Sequence, residues 1–518
     1  MPNRVGVEFN KRFYFFAALA VVGLYAALTI GVSLTKPPEI DEGWFASPAL
    51  NLVTKGSMGT TVLESSGTVT SRLAGINQHT YWVMPLHLLT QAGWYEVFGF
   101  SLFSMRTLSI FWGLVALASW FLIMKALSGN QKLAMTAFAF IALDYVFIMH
   151  ASLGRMDIMC AALGFAALAA YLCIRKRHLR LAVFASQSLV AASLFTHPNG
   201  VMAGAGLLFL TLYYDRAQVR WQHALIAATP YLIGAAAWGF YILQSPSSFA
   251  GQFSGQAAGR APGLSTPLVA LKEEFTIKYF EAFGFAPYST GMSRLKILIL
   301  VVYAIAVIGA ICVRSIRLHE GFRALLILTA IYFVIETFFN HKLVFYLVHI
   351  IPMFAAILAV WVHWCWSERR VPRQVVSFAV CAFIFLQVSG VIHRVNQNSY
   401  ETDYLPAAAF LKQHSNGKTL VIGSAEMAFG VGFERVIDDI RLGYYSGKKP
   451  DFIVMGYHYD GLMKLLEEKE PAVYGAATER LSHSYKQVYN HGSYQIYALD
   501  KEAGMNLQGS SLARLTRP

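Results

Sequence analysis

Charged side chains are scarce in this sequence. Asp, Glu, Lys and Arg make up 14% of the 518 residues, whereas soluble globular proteins carry about 25%. Apolar types reach 56%, and the mean hydropathy is +0.47. This shortage argues against a disordered chain, a nucleic-acid-binding protein and an ordinary soluble enzyme. Because the apolar residues fall in runs long enough to cross a bilayer, the sequence predicts a polytopic α-helical membrane protein.

Cysteine is also rare, and the few cysteines are confined to apolar runs. The five are Cys160, Cys173, Cys312, Cys365 and Cys381. None of them lies in the polar C-terminal part, and their spacing indicates neither a metal site nor a disulfide framework. We interpret them as small apolar residues of the membrane part.

The apolar runs predict eleven membrane-spanning helices. The predicted spans are residues 13–34, 104–125, 132–150, 157–174, 180–196, 199–214, 223–243, 294–313, 322–339, 343–364 and 374–393. Residues 80–98 are also apolar, but they contain His87, Gln91 and Glu96 and four Trp or Tyr residues. That composition favours a helix lying in the membrane interface. The first run is too long for a signal-peptide core, so it predicts a retained span.

Basic residues indicate the orientation. With a cytoplasmic N-terminus, the inside links hold clusters such as 175–177 and 369–370, whereas the short outside links hold only Arg155 and Lys342. This distribution follows the positive-inside rule, and a twelfth span at 80–98 would invert it. The net charge of +13 is therefore interpreted mainly as a topology signal. We expect a bacterial inner-membrane protein with its large loops outside the cytoplasm.

The predicted organisation has three parts. Residues 1–394 form a transmembrane domain, with an outer loop at 35–103 that contains interfacial helices. A second outer loop at 244–293 is rich in Gly, Ser, Ala and Pro, which predicts mobility. Residues 395–501 change to alternating strand and helix patterns, which predict a small extracytoplasmic α/β domain. Residues 502–518 are predicted to be a flexible tail.

Within the α/β domain, the pattern predicts five elements. They are a helix at 403–414, strands at 419–423 and 451–456, a helix at 461–468 and a hairpin at 486–499. No phosphate-binding loop, glycine fingerprint or metal-ligand spacing is found in this part of the sequence.

Acidic residues on the predicted outer face are the first candidates for chemistry. Asp41 and Glu42 directly follow the first span, and two carboxylates beside a membrane are costly unless they are solvated or used. The structural alternative is a solvated pair or a helix cap. Asp157 follows Arg155 in the next outer link. That pair could be structural, or Asp157 could face Asp41 across one cleft.

Cations and aromatic residues on the same face are weaker candidates. His197 precedes a tight turn, and Lys342 follows His341 at a membrane surface. Such a lysine could extend toward water or neutralise a phosphate at the level of the lipid headgroups. Arg260 lies in the Gly-rich loop, where it could be solvated or close over an anionic ligand. The further candidates are Arg72, His79, Tyr81 and Tyr346.

The order of these features resembles that of the GT-C glycosyltransferases, in the branch with the protein O-mannosyltransferases and the lipid A aminoarabinose transferases. Asp41-Glu42 is similar to the acidic first-loop motif of that family. The other similar positions are Asn77 to Trp82 with Pro85, Phe98 to Ser101 with Arg106, Asp157, and Lys342 with Tyr346 and Pro352. The resemblance covers roughly residues 10–365, and His79 stands where the family has a lysine.

The resemblance implies the transfer of one sugar, with inversion, from a polyprenyl-phosphate donor to an acceptor hydroxyl on a lipid, a glycan or a protein. Asp41 would be the general base, and Glu42 and Asp157 would orient the acceptor or hold a divalent metal ion. The implied ligands of the donor phosphate are Lys342, Arg260, His79, Tyr346 and Arg155. The remaining site candidates are Tyr81, His197, His341 and Arg72. The sugar, the acceptor and metal use are left open.

Two alternatives belong to other classes of protein. A transporter or flippase of a lipid-linked or anionic substrate would place ionisable residues within spans, often in two repeated halves. Glu336 and Asp144 are acids within predicted spans, but the sequence contains no evident internal repeat. A non-enzymatic membrane scaffold would use the C-terminal domain to bind a partner.

Overall fold

The computed structural model describes most of the chain. The described residues are 4–66, 72–260, 266–286, 291, 293–339, 342–368 and 371–500, without the side chains of 4–11 and 257–260. Three predictions fall outside this part of the chain: His341, the side chain of Arg260 and the tail at 502–518.

Helices make up the N-terminal three quarters of the chain. The first ten are α1 (Arg4–Thr35), α2 (Ile40–Lys55), α3 (Pro85–Phe98), α4 (Leu102–Ser128), α5 (Gln131–Ala142), α6 (Tyr145–Ala151), α7 (Met156–Ile174), α8 (Leu179–Thr196), α9 (Val201–Asp215) and α10 (Trp221–Ile242). The next seven are α11 (Pro246–Arg260), α12 (Pro267–Glu273), α13 (Ile297–Cys312), α14 (Arg314–Leu318), α15 (Glu320–Phe338), α16 (Ile351–Glu368) and α17 (Arg373–Gln397).

Nine helices in the described residues are long and apolar enough to cross a membrane, or ten if the bent pair α5–α6 counts as one span. The chain is therefore an integral membrane protein. Each of the eleven predicted spans contains helix, but the sixth, α9, has only 15 residues. A perpendicular span needs roughly 17–25 residues. The short helix α3, with 14 residues, also falls below that length, in agreement with the interfacial prediction for 80–98.

The third predicted span is broken at Asp144. The helices α5 and α6 meet there at an angle of 62°. The Asp144 carboxylate caps α6 by accepting from the Phe147 amide at 2.8 Å. It also accepts from the Tyr303 hydroxyl at 2.6 Å and from the Gln387 amide at 2.9 Å. Because these donors satisfy a fully buried carboxylate, Asp144 has a structural role.

The Gly-rich segment at 244–293 is largely helical where it is described. It contains α11, α12 and π-helical turns at Glu274–Tyr279 and Glu281–Phe285. The Gln252 side chain explains why α11 is ordered against the first loop. It is fully buried and bonds to the Tyr81 amide at 2.7 Å and to the Ala74 and His79 carbonyls, both at 2.9 Å.

The C-terminal domain is a small α/β unit, as predicted. Its strands are β1 (Val421–Ile422), β2 (Val436–Ile437), β3 (Phe452–Met455), β4 (Tyr485–His491) and β5 (Tyr494–Leu499), and its helices are α18 (Leu405–His414), α19 (Ala428–Val431), α20 (Tyr457–Lys469) and α21 (Pro471–Ser484). The sheet order is β2-β1-β3-β5-β4. The strand β1 runs parallel to β2 and β3, and β5 pairs antiparallel with β3 and β4. The strand β2 and the helices α19 and α21 were not predicted.

This domain packs on the first loop through a shared apolar cluster, and we call that end of the helical bundle the domain face. The cluster joins Phe45, Ala49 and Val62 of the first loop to Tyr404 and Val436 of the domain. The approach of α2 is closest at its glycine: a Cβ on residue 43 would lie 2.5 Å from the carbonyl carbon of residue 425. Any larger side chain at that position would push the two units apart.

Candidate active site

The acidic pair lies in the first turn of α2. The chain leaves α1 through two consecutive prolines, and Glu39 becomes the N-cap of α2. The Glu39 amide donates to Glu42 Oε2 at 2.8 Å, which forms one half of a capping box. Acidic side chains are favoured here because the helix dipole is positive at its N-terminus. The adjacent residues Asp41 and Glu42 nevertheless point to different surroundings.

Glu42 is fully buried and is saturated with donors. Its carboxylate forms a two-pronged ion pair with Arg106, at 2.8 Å and 2.7 Å, and accepts from the Gly154 amide at 2.7 Å. Arg106 also donates to the carbonyls of Ser33 and Pro37 at 2.7 Å and 2.9 Å. This geometry does not support the prediction that Glu42 orients an acceptor, because the carboxylate is fully buried and its two oxygens already accept four hydrogen bonds. Glu42 instead holds the first loop against α4.

Asp41 is partly exposed and pairs with Arg155, and we call the surroundings of this pair the cleft. Its side chain keeps 25% of its surface exposed, and its Oδ2 accepts from Arg155 Nη1. The Nε of the same arginine donates to Asp157 Oδ2 at 2.9 Å. Asp157 is buried, and its Oδ1 has no hydrogen-bond partner among the described residues. One guanidinium therefore joins the two carboxylates that the sequence placed on the same face.

Aromatic rings fix the position of Arg155. Its guanidinium carbon lies 3.7 Å from the centroid of the Phe345 ring and 5.8 Å from that of Phe45. Phe345 belongs to the 3₁₀ turn Val344–His349, which also carries Tyr346. The Tyr346 ring is 5.4 Å from the His197 ring, and both residues are buried. The turn thus brings the predicted residues His197 and Tyr346 to the same end of the bundle as Asp157.

Three other predicted residues form a separate group beside α10 and α11. The Tyr81 ring lies 4.9 Å from the Tyr241 ring at a tilt of 49°, and the Tyr81 hydroxyl donates to the Tyr241 carbonyl at 2.9 Å. His79 packs against both tyrosine rings and lines a mostly apolar cavity of about 430 Å³. Arg72 is exposed and lies over Gly255 of α11. The cavity adjoins Leu89 and Trp238, so it is suited to a lipid chain rather than to a phosphate.

Lys342 is held in a buried cluster of four charges. Its ammonium donates to Glu274 Oε2 at 2.9 Å, and Lys278 contacts Glu274 at 2.8 Å and Glu336 at 2.5 Å. The two acids and two cations neutralise one another in side chains that are at most 4% exposed. The arrangement does not support Lys342 as a ligand of the donor phosphate, because its ammonium is buried and already donates to Glu274 and to the backbone carbonyls of Glu336 and Thr337. Glu336, the acid considered for transport, lies in the last turn of α15 and has a structural partner.

The cleft contains residues that the sequence alone did not single out. Glu39 Oε1 pairs with Lys36 at 2.8 Å, and its Oε2 lies 3.6 Å from His458 Nε2 of the C-terminal domain. Burial raises the pKa of Glu39, but the charges of Lys36, His458 and Arg155 outweigh it and lower the pKa to about 2. Burial lowers the pKa of His458. Glu39 could have been found from its place in the acidic segment, whereas no local signal marks His458.

A carboxylate of the C-terminal domain also contacts α2 directly. Asp438 accepts from the Trp44 indole at 2.8 Å, from the Tyr459 hydroxyl at 2.9 Å and from the Ala425 amide at 3.1 Å. Burial raises the pKa of Asp438 to about 6. Because Trp44 is one helical turn after Asp41, this bond fixes the rotation of the helix that carries the cleft acid.

The described residues do not fit a resident metal ion. No group of three or more His, Cys, Asp and Glu side chains in the described ranges is arranged to hold one. Asp41 and Asp157 both bind the positive charge of Arg155, which occupies the position that a cation would need. We therefore derive no step through a metal.

Comparisons with known proteins identify solved structures with a similar fold. No family model matches the sequence, and no curated protein matches it by sequence. ArnT from Cupriavidus metallidurans in the apo state aligns with a TM-score of 0.60 at 14% identity, covering 94% of this chain and 98% of that one. ArnT bound to undecaprenyl phosphate aligns with a TM-score of 0.58 at 14% identity, covering 97% and 99%.

An archaeal structure is similar over a comparable length. The oligosaccharyltransferase AglB from Archaeoglobus fulgidus, in complex with an inhibitory peptide and a dolichol-phosphate, aligns with a TM-score of 0.52 at 12% identity, covering 95% of this chain and 75% of that one. The protein is thus an integral membrane protein that consists of a helical bundle and a small α/β domain. Its fold is similar to that of ArnT and AglB, in agreement with the fold that the resemblance to the GT-C glycosyltransferases implied.

Proposed function

We propose that the protein is a glycosyltransferase that moves a single sugar from a polyprenyl-phosphate carrier to an acceptor hydroxyl. The observation that carries the proposal is the pairing of the partly exposed Asp41 with Arg155, which Asp157 holds from the other side. A base and a cation meet there at the domain face of the bundle. Of the similar structures, ArnT is bound to undecaprenyl phosphate and AglB is in complex with a dolichol-phosphate.

Asp41 acts as the general base in this proposal. Its carboxylate takes the proton of the acceptor hydroxyl while the acceptor oxygen bonds to the anomeric carbon of the sugar. The bond from that carbon to the phosphate oxygen breaks, and the carrier phosphate leaves with the electron pair. A single displacement of this kind inverts the anomeric centre. Because phosphate is a good leaving group, one base and one cation are enough.

Arg155 couples the base to the donor. Its Nε stays on the buried Asp157, while its Nη1 binds either Asp41 or the phosphate of the carrier. A bound donor therefore competes with Asp41 for the guanidinium and releases the carboxylate to accept a proton. The same cation then stabilises the charge that develops on the leaving phosphate. Asp157 works as a positioning residue, since its burial keeps it from an acceptor.

The orientation is part of the proposal. The cluster at 175–177 follows α7, whose first turn carries Asp157. It therefore lies at the end of the bundle opposite the domain face, which we assign to the cytoplasm of a bacterial inner membrane. The cleft and the C-terminal domain then lie outside the cytoplasm. The acceptor is a lipid such as lipid A, a glycan or a protein, and it approaches between α2 and the C-terminal domain, beside Glu39 and His458.

The transferase is preferred over a transporter because the acids within the membrane part are engaged. Asp144 accepts three hydrogen bonds, and Glu336 is paired with Lys278. Neither carboxylate is free to bind and release an ion as a transport cycle requires.

The direct test is incubation of the purified protein in nanodiscs with polyprenyl-phosphate sugars, scoring release of the carrier phosphate. We expect turnover by the wild type and none above background by Asp41→Asn, with an unchanged melting temperature. Asp460→Asn, on an exposed position of α20, is the matched control and should keep full turnover. Near-normal turnover by Asp41→Asn would contradict the assigned base.

A further inference from the structure

A basic cavity lies at the end of the bundle opposite the domain face. It has a volume of about 980 Å³ and is formed where α4, α7 and α9 end and α15 begins. Its charged lining residues are Lys125, Arg175, Lys176, Arg177 and Glu320. Four cations and one acid therefore line the cavity, and Asp215 neutralises one of these cations, Arg175, from outside the lining. None of these residues takes part in the cleft at the domain face.

Arg175 is held in a fixed orientation at this cavity. Its Nη1 donates to both carboxylate oxygens of Asp215, at 2.9 Å and 3.0 Å, and its guanidinium lies 4.1 Å above the Tyr214 ring. Asp215 is in turn bonded to the Tyr171 hydroxyl at 2.7 Å. The Nε of Arg175 has no acceptor among the described residues. An arginine that is positioned in this way and keeps an unused donor is typical of an anion site.

The wall of the cavity is rigid and partly apolar. A Cβ on Gly321 would lie 1.9 Å from the Leu127 carbonyl oxygen, so the start of α15 packs directly on the end of α4. Leu122, Leu127 and Leu172 line the same cavity. Because these leucines are on the last turns of membrane-crossing helices, they lie at the depth where acyl chains meet headgroups.

We propose that this cavity binds the phosphate headgroup of an anionic membrane lipid. The excess of cations selects a negative charge, and the leucines at the helix ends favour a lipid over free phosphate. Basic pockets between transmembrane helices are known to hold such headgroups. The positive-inside rule requires only that basic residues lie near the cytoplasmic ends of the membrane-spanning helices. It does not require a walled cavity or an arginine fixed by Asp215. This proposal is independent of the proposed glycosyl transfer.

The test measures lipid that the purified protein retains. Wild-type protein from nanodiscs of phosphatidylglycerol and phosphatidylcholine in equal amounts is released into detergent, and bound lipid is counted by native mass spectrometry. We expect enrichment of phosphatidylglycerol over phosphatidylcholine of at least fivefold. The double variant Lys176→Gln/Arg177→Gln should lower the retained phosphatidylglycerol at least fivefold. The single variant Lys125→Gln, a second lining residue, should lower it two- to threefold.

The matched control removes the same charge from the same face outside the cavity. Lys132 and Arg180 are exposed and do not line it, so Lys132→Gln/Arg180→Gln should keep retention within twofold of the wild type. An equal loss in this control would overturn the proposal in favour of general surface attraction. Displacement of phosphatidylglycerol by millimolar inorganic phosphate would identify a soluble anion as the ligand and would also overturn it. Equal retention of the two lipids by the wild type would do the same.

Discussion

The indole of Trp44 donates a hydrogen bond of 2.8 Å to Asp438, a residue 394 positions later in the sequence. Trp44 lies on the helix that carries Asp41, and Asp438 lies in the C-terminal domain. The C-terminal domain is therefore connected to α2 through this hydrogen bond as well as through packing. The role of that domain can be tested at this bond without altering any group that touches a substrate.

Asp438→Asn is expected to lower turnover about tenfold without raising the donor KM. An asparagine offers one acceptor oxygen where the carboxylate serves three donors, so at least one bond is lost. Hydrogen bonds to a charged group contribute about 1.5–3 kcal/mol. Steady-state kinetics and thermal unfolding of Asp438→Asn, Trp44→Phe and the double variant form a cycle. Additive losses would contradict a direct coupling of the two side chains, and Asp460→Asn again provides the control.

The stability of the C-terminal domain is expected to fall as the pH rises from about 6.5 to 8. Burial raises the pKa of Glu426 to about 8 from its ordinary 4.5. Between those values the folded state holds a proton that the unfolded state releases, so unfolding becomes easier as the pH rises. The expected slope is about 1.4 kcal/mol per pH unit. Asp438, with a pKa of about 6, contributes mainly below this window.

Glu426→Gln should remove that slope, because the amide is neutral at every pH. Thermal unfolding of the purified protein at several pH values measures it. Glu434→Gln is the control, since the Glu434 side chain is 75% exposed and should leave the slope unchanged. The same slope in Glu426→Gln as in the wild type would show that another group is responsible.

Arg106→Met is expected to destabilise the protein by about 3–5 kcal/mol, because it leaves the Glu42 carboxylate buried without its partner. The double variant Arg106→Met/Glu42→Leu should recover much of that loss, since it removes both charges. Chemical unfolding followed by intrinsic fluorescence measures both. A folded Glu42→Gln protein with normal stability and no turnover would instead restore the predicted role of Glu42 in catalysis.

Lys342→Met is expected to destabilise the protein, because Glu274 and Glu336 would then share the single charge of Lys278. Lys342→Met/Glu274→Gln restores neutrality and should recover both the melting temperature and the turnover. Thermal unfolding and steady-state kinetics are measured on the same samples. A double variant that recovers stability but has a tenfold higher donor KM would show that Lys342 binds the donor phosphate.

The sequence was sufficient to locate the helical segments of the membrane part. The hydrocarbon core of a bilayer offers no hydrogen-bond partners to backbone groups, so a helical segment that crosses it must be long and apolar. Such apolar runs are visible in the sequence. Residues 80–98 differ from the spans in their polar and aromatic composition, and a span there would invert the positive-inside distribution. The sequence does not reveal the break at Asp144, which depends on Tyr303 and Gln387 from distant helices.

The sequence also placed Asp41, Arg155 and Asp157 on one face, because topology alone assigns each link to a side of the membrane. It could not decide between neighbours. Asp41 and Glu42 cannot be distinguished by their local sequence pattern. In the structure, Glu42 is buried because it pairs with Arg106 of α4, whereas Asp41 remains in the cleft. Lys342 illustrates the same point, since its partner Glu274 is 68 positions away.

The sequence by itself therefore determined the membrane class, the order of the helices, the α/β character of the C-terminal domain and the face on which acids and cations gather. These properties follow from local composition and periodicity, which depend only on residues that are near one another in the sequence. Only the tertiary structure decided which charges are paired and which are free, and that Glu39 meets His458 and Trp44 meets Asp438. Charge pairing is a property of distance in space, and burial gives each pair its strength, so neither can be read from neighbouring residues.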